Sequence, residues 1–218
     1  MTTIYLIRHS VRLPNNLIES RVTKQDKLIL SEKIILNVEG EERARILCDK
    51  DEFSDVDVIY ASNCVRTLQT AKYLMNRLSL GVHIDDRLDE RRVGIPNGDI
   101  YPDWLERQYL GPLFHTEGGE SQEDVRNRVD EVISELLKEY PDKKIAVFSH
   151  GYAITFYLLK YCKLVNVTSG HLTYKFQNRI IFDKEINAPE VFKLTFDKEQ
   201  LQNIELIEFD DLPYRHGV

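Results

Sequence analysis

Cysteine is scarce in this chain: Cys48, Cys64 and Cys162 are odd in number and far apart. They form no CxxC pair and no metal-finger spacing, which excludes a disulfide scaffold and leaves packed, reduced thiols. The six histidines (His9, His83, His115, His150, His171 and His216) make no HxH or HExxH spacing, so nothing supports a metal site. Neither a GxGxxG nor a GxxxxGK phosphate loop occurs, which counts against a nucleotide-dependent enzyme. No apolar run approaches the ~20 residues that a membrane span needs. The opening MTTIYLIRHS lacks the basic start, apolar core and cleavage site of a secretory leader. Positive charge is in deficit too, and the net −7 argues against a general nucleic-acid or anionic-membrane surface. The expectation is a cytoplasmic protein with no nucleic-acid, membrane or metal partner and no cofactor.

What is present describes an ordinary globular chain, with 42% hydrophobic and 30% charged residues. Its 218 residues suit a single domain over 1–218. Short apolar runs at 3–7, 57–61, 82–84 and 144–149 read as strands, the last continuous enough to be buried on both faces. Helical patterns fill 40–50, the stretch carrying Leu68, Ala71, Leu74, Met75 and Leu78, the stretch from Val125 to Tyr140, and 152–164. Ser121 to Asp124 resembles a capping box, with Asp in the usual Glu or Gln place. Residues 190–196 and 204–209 look like two late strands, forming an ordinary sheet edge or the seam of a homodimer. Residues 91–118 lack periodicity and hold four glycines and three prolines, which reads as an irregular lid over a site. Strands alternating with helices imply a three-layer α/β sandwich: a mainly parallel central sheet, one antiparallel edge strand, and helices on both faces.

In such sheets ligands collect beyond the carboxyl ends of the strands. Three of those ends carry suggestive residues: Arg8-His9, Ser62 to Arg66, and Ser149-His150-Gly151. Taken singly, each has a plain structural use, as a surface histidine, a solvated arginine or a tight turn. Together they would suit a tetrahedral dianion. A guanidinium pairs two phosphate oxygens at once, a neutral imidazole is a competent nucleophile toward phosphorus, and helix N-termini add N–H donors.

These residues resemble the histidine phosphatase superfamily, the branch related to phosphoglycerate mutase. The family's R-H-G is Arg8-His9-Ser10 here, and an Asn six residues past the histidine is matched by Asn15. L-T-x-x-G-x-x-Q-A is approximated from Leu36 to Ala44. S-x-x-x-R-A-x-Q-T-A is close to the stretch from Ser62 to Ala71. L-x-E is Leu88-Asp89-Glu90, G-G-E-S recurs as Gly118 to Ser121, and S-H-G as Ser149 to Gly151.

The resemblance implies a metal-independent phosphomonoester hydrolase acting on a small phosphorylated metabolite. His9 would accept the phosphoryl group, while Arg8, Arg66, His150 and Asn15 would hold its oxygens. Glu90 would protonate the leaving oxygen and then deprotonate the hydrolytic water, with Asp86 and Asp89 as neighbouring competitors. Ser10 departs from the family glycine and should perturb the site only slightly. The 30 residues between His9 and Gly40 are a longer segment than usual, carrying Arg12, Arg21, Lys24 and Lys27. Mutases of the family carry a long basic insertion between the acid and the second histidine. Here those two lie only 60 positions apart, and the segment holds Ile95, Tyr101, Trp104, Tyr109, Leu113 and Phe114 instead. Hydrolysis therefore leads. Mutase-type phosphoryl transfer and a non-catalytic phosphate-binding scaffold remain as alternatives.

Overall fold

The computed structural model describes residues 1–14, 31–94 and 103–217. Strand β1 (Thr2–Arg8) runs through the middle of a six-stranded sheet with order β3-β2-β4-β1-β8-β9. Strands β2 (Val58–Ala61), β3 (His83–Ile84) and β4 (Lys144–Ser149) lie on one side of it, and all these pairings are parallel. On its other side lies a hairpin. Strand β8 (Val191–Asp197) pairs antiparallel with β1, and β9 (Gln200–Ile207) with β8, so the two late strands form the antiparallel edge.

Because successive strand residues face opposite ways, β1 and β4 each feed two cores. Tyr5, Ile7, Ala146 and Phe148 pack on helices α1 (Val38–Cys48) and α2 (Val65–Leu78) through Leu47, Cys48, Ala71 and Leu74. Ile4, Leu6, Ile145 and Val147 face the opposite layer. Between α2 and that layer's long helix, the chain makes a short α3 (Trp104–Leu110). The long helix α4 (Gln122–Glu139) presents Val125, Val129, Val132, Ile133, Leu136 and Leu137, and α5 (Gly151–Leu158) adds Ala153 and Phe156. Asp124 completes the capping box at Ser121 in both directions, as a longer acid would.

Two stretches differ from the sequence reading. Helix α3 interrupts the segment expected to be irregular. It is seven residues long, too short to declare a period, and is held by tertiary contacts: Tyr109 packs edge-on to Phe156 at 5.1 Å. The helix read over 152–164 ends at Leu158. From Lys163 the chain forms a separate antiparallel sheet of β5 (Lys163–Thr168), β6 (His171–Phe176) and β7 (Arg179–Glu185). Its turns use left-handed Ser169, Gly170 and Gln177 rather than a dipeptide that announces a hairpin.

Candidate active site

Register brings the three strand ends level. Arg8 pairs with Ser149, the His9 N–H donates to the Ser149 carbonyl at 2.9 Å, and the Ser62 N–H donates to the Phe148 carbonyl at 3.0 Å. His9 and His150 consequently meet edge to face, 5.2 Å between ring centroids. His9 is 3% exposed, and its Nδ1 lies 2.7 Å from the Ser10 carbonyl. A carbonyl only accepts, so Nδ1 carries the proton and Nε2 keeps its lone pair. Burial first, then Arg66 and Arg8, hold His9 well below the ordinary histidine range, so the ring stays neutral.

Arg66, in the first turn of α2, donates from Nη1 to the Ser31 carbonyl at 2.7 Å and from Nη2 to His150 Nδ1 at 3.0 Å. Since Nδ1 of His150 accepts, its Nε2 must donate to Ser62 Oγ, 2.7 Å away. Ser62 Oγ is in turn 2.9 Å from Thr67 Oγ1. His150 is fully buried and is also held well below the ordinary range, by burial and then Arg66. As it stands, His150 orients Arg66; either nitrogen would have to be released before it could grip an anion directly.

Arg8 spends Nη1 on the carbonyls of Ile186 and Asn187, at 2.8 and 2.9 Å. A Cβ at buried Gly217 would collide with its guanidinium, so the tail after β9 closes that flank. The Nε atoms of both Arg8 and Arg66 are buried without an acceptor among the described residues. Buried donors are rarely left so, and two of them beside a neutral imidazole describe an anion site.

The loop that carries the carboxylates is clamped by its own carbonyls. Arg128 Nη1 donates to Arg87 O at 2.6 Å and Asp89 O at 2.8 Å, and Ser149 Oγ donates to Leu88 O at 2.7 Å. Arg128 is held by Glu120 at 2.9 and 3.1 Å, and Glu120 also accepts the Arg92 N–H at 2.8 Å. Glu120 of the G-G-E-S stretch thus serves the acid loop rather than the anion. Gly119 permits the approach, since a Cβ there would sit 2.8 Å from the Val93 carbonyl. Replacing Arg128 with methionine leaves the little-exposed Glu120 carboxylate without its main partner. We expect a loss of about 3–5 kcal/mol, read from urea midpoints; a change under about 1 kcal/mol would mean the pair behaves as a surface bridge.

Position and tuning point to different carboxylates. Burial pushes Asp89 up to about 6, a value suited to proton transfer, yet its Oδ1 is bound by the Asn63 N–H at 2.8 Å. Glu90 Oε1 accepts the N–H groups of Arg91 at 2.9 Å and Ala153 at 3.3 Å, at the N-terminal turn of α5. Its charge is felt at Arg8, Arg12, Tyr109 and Tyr152, whereas Asp89 interacts with Arg128 and Asp86. Glu90 therefore lies toward Arg8 and the N-terminal turn of α5, and Asp89 toward Arg128.

Sequence reasoning singled out Arg8, His9, Ser62, Arg66, Glu90 and His150, and the fold brings them together. Asn15, Arg21, Lys24, Lys27, Ile95 and Tyr101 lie outside the described residues. Arg128 was missed, because an arginine nearly two turns into a long amphipathic helix reads as a solvated charge. Among the described residues, Cys64, Asp89 and His150 bring possible metal-ligand atoms within 4.8 Å of one another. His150 is already engaged there by Arg66 and Ser62, a poor setting for a cation.

The described geometry has counterparts among known proteins. The model of the histidine phosphatase superfamily (branch 1) matches residues 4–175. Phosphoserine phosphatase 1 of Hydrogenobacter thermophilus is 29% identical over 143 residues, covering 61% of this chain and 65% of that enzyme's length. A probable phosphoglycerate mutase of an Enterobacter species is 25% identical over 171 residues, covering 71% of this chain and 72% of its own. The native structure of a mycobacterial glucosyl-3-phosphoglycerate phosphatase superposes with a TM-score of 0.65 at 18% identity, covering 94% of this chain and 96% of that one, a likeness of fold.

Proposed function

Starting from a chain that belongs to the histidine phosphatase superfamily, branch 1, we propose a metal-independent phosphomonoester hydrolase that passes its phosphoryl group through His9. The observation that carries this reading is the neutral His9 ring, its Nε2 lone pair exposed by the Nδ1 bond to Ser10, beside two arginine Nε donors that have no acceptor among the described residues.

In the first step Nε2 of His9 attacks phosphorus as the bond to the ester oxygen breaks. Glu90 gives that oxygen its proton. Arg8 and Arg66 hold the non-bridging oxygens and offset the charge spread over them in the transition state. His150 keeps the Arg66 fork in place. In the second step water attacks the phosphohistidine, Glu90 takes the proton, and the P–N bond breaks to restore the free imidazole. Splitting one displacement into two easier ones is the gain from a covalent intermediate. Relatives named for phosphoserine and glucosyl-3-phosphoglycerate suggest a small phosphorylated metabolite as substrate. A reducing cytoplasmic setting suits the three buried free thiols.

Assay of the purified protein with p-nitrophenyl phosphate, with and without a chelator, tests the reading. Steady phosphate release that the chelator leaves unchanged is the expected result. Loss of activity on chelation would overturn the metal-independent mechanism. Interconversion of 2- and 3-phosphoglycerate with little net phosphate release would turn the reading toward a mutase.

A further inference from the structure

Three carbonyls decide where Arg8 stands, and all belong to the loop between β7 and β8. The Glu190 carbonyl accepts the Arg8 backbone N–H at 2.9 Å, and those of Ile186 and Asn187 accept Nη1 at 2.8 and 2.9 Å. A loop carbonyl is only as fixed as its loop, and two side chains that the chemistry above does not use hold this one. Asn187 is 7% exposed. Its Oδ1 accepts the N–H groups of Ala188 at 2.8 Å and Arg215 at 2.7 Å, and Arg43 Nη2 at 3.3 Å. Its Nδ2 donates to the Leu212 carbonyl at 3.3 Å, and its backbone N–H to the buried Glu190 carboxylate at 2.8 Å. Arg43, on α1 and also 7% exposed, donates Nε to the Ala188 carbonyl and Nη2 to the Pro213 carbonyl, both at 2.7 Å. Helix α1, the 186–190 loop and the 212–217 tail are thereby joined at one buried point. The same tail brings Gly217 so near Arg8 that a Cβ there would sit 2.3 Å from Nη2. Apart from Arg43, these loop and tail residues lie beyond the stretch 4–175 that matches the superfamily.

We infer that Asn187 and Arg43 are positioning residues for Arg8, holding its guanidinium at the angle from which Nε meets the phosphoryl oxygens. The inference rests on the phosphomonoesterase reading, in which Arg8 is an oxygen ligand. A guanidinium is planar, so fixing Nη1 on two carbonyls fixes the direction of Nε as well. Left to itself, an arginine side chain samples many rotamers. A donor already in place stabilises the transition state more than one that must be gathered at each turnover. Asparagine suits the post, because one carboxamide accepts from several donors and still donates to Leu212.

Substitutions at these two residues, read against Arg8, decide the matter. With p-nitrophenyl phosphate, N187A is expected to lower kcat/KM by about 10- to 100-fold, the scale on which displaced catalytic groups lose rate. The dissociation constant for inorganic phosphate, from isothermal titration, should rise by about tenfold. N187D keeps the acceptor for Arg43 and the two N–H groups, and should stay within about threefold of the wild type. R43M removes every donor of that side chain and should cost about tenfold; it decides the case if N187A melts too low to assay. The effect must pass through Arg8, so in an R8M background N187A should change both quantities by no more than about twofold. Equal fold losses in the wild-type and R8M backgrounds would make the two residues a strut and overturn the inference, as would equal impairment in N187D and N187A. Wild-type turnover and phosphate affinity in N187A would also overturn it, while leaving the phosphatase reading in place. Absence of turnover with any ester would remove that reading, and the phosphate affinities of the same variants would still decide whether Asn187 acts through Arg8.

Discussion

Replacing His9 with alanine is expected to lower turnover of every phosphomonoester by about 10⁴-fold or more, the scale on which removal of a nucleophile acts. The size follows from the surroundings of the ring. His9 sits against Arg66 and Arg8, with its one available lone pair at Nε2. Among the described residues the nearby alternatives are poorer: His150 has both nitrogens engaged, and burial pushes the Cys64 thiol up to about 11, so it stays protonated. The same depression fixes a pH dependence. Protonation destroys the lone pair, and because the folded ring holds its proton more weakly than a free histidine, that loss comes only well below 6.5. An NMR titration that places the His9 midpoint near the ordinary value of about 6.5 would show the ring to be solvated. Base-quenched turnover with labelled substrate should place the label on His9; label on another residue would end the proposal.

The second large effect belongs to Glu90→Gln. For an alkyl phosphate, whose leaving alkoxide needs a proton, kcat should fall by about 10²–10⁴-fold. For p-nitrophenyl phosphate the fall should stay within about tenfold, since nitrophenolate departs without help. Asp89→Asn is the control that matters, because burial pushes the Asp89 carboxyl up to about 6 while the Asn63 N–H holds its Oδ1. It should slow both substrates equally and modestly. If D89N instead slows the alkyl ester selectively and E90Q does not, tuning has beaten placement and Asp89 is the donor.

Much of this site was legible in the sequence because strand ends are legible. The apolar run of β1 stops at Arg8 and that of β4 at Ser149, and parallel register then brings His9 and His150 together without further instruction. The capping box at Ser121 was readable for the same reason, since its chemistry is local. What escaped depends on contacts made across the chain. Arg128 is nearly two turns into a helix, and only the folded chain shows that it reaches the carbonyls of Arg87 and Asp89. Arg91 lies in a stretch without a period, and only the folded chain closes Glu120, Tyr152 and Phe156 around it. The β5–β7 sheet was hidden by turns at Ser169 and Gln177, whose left-handed backbones side-chain identity does not announce.

The place of β1 between β4 and β8 has a consequence for how the protein is made. Thr3 pairs with Lys144 and Thr2 with Phe196, so β1 leaves the ribosome long before the strands that flank it. Pairing between such distant stretches is slow and leaves apolar edges uncovered in the meantime. The nascent chain therefore carries His9 well before β4 and β8 can enclose it. Truncation anywhere before β8 should yield chaperone-bound or aggregated material rather than a smaller working enzyme.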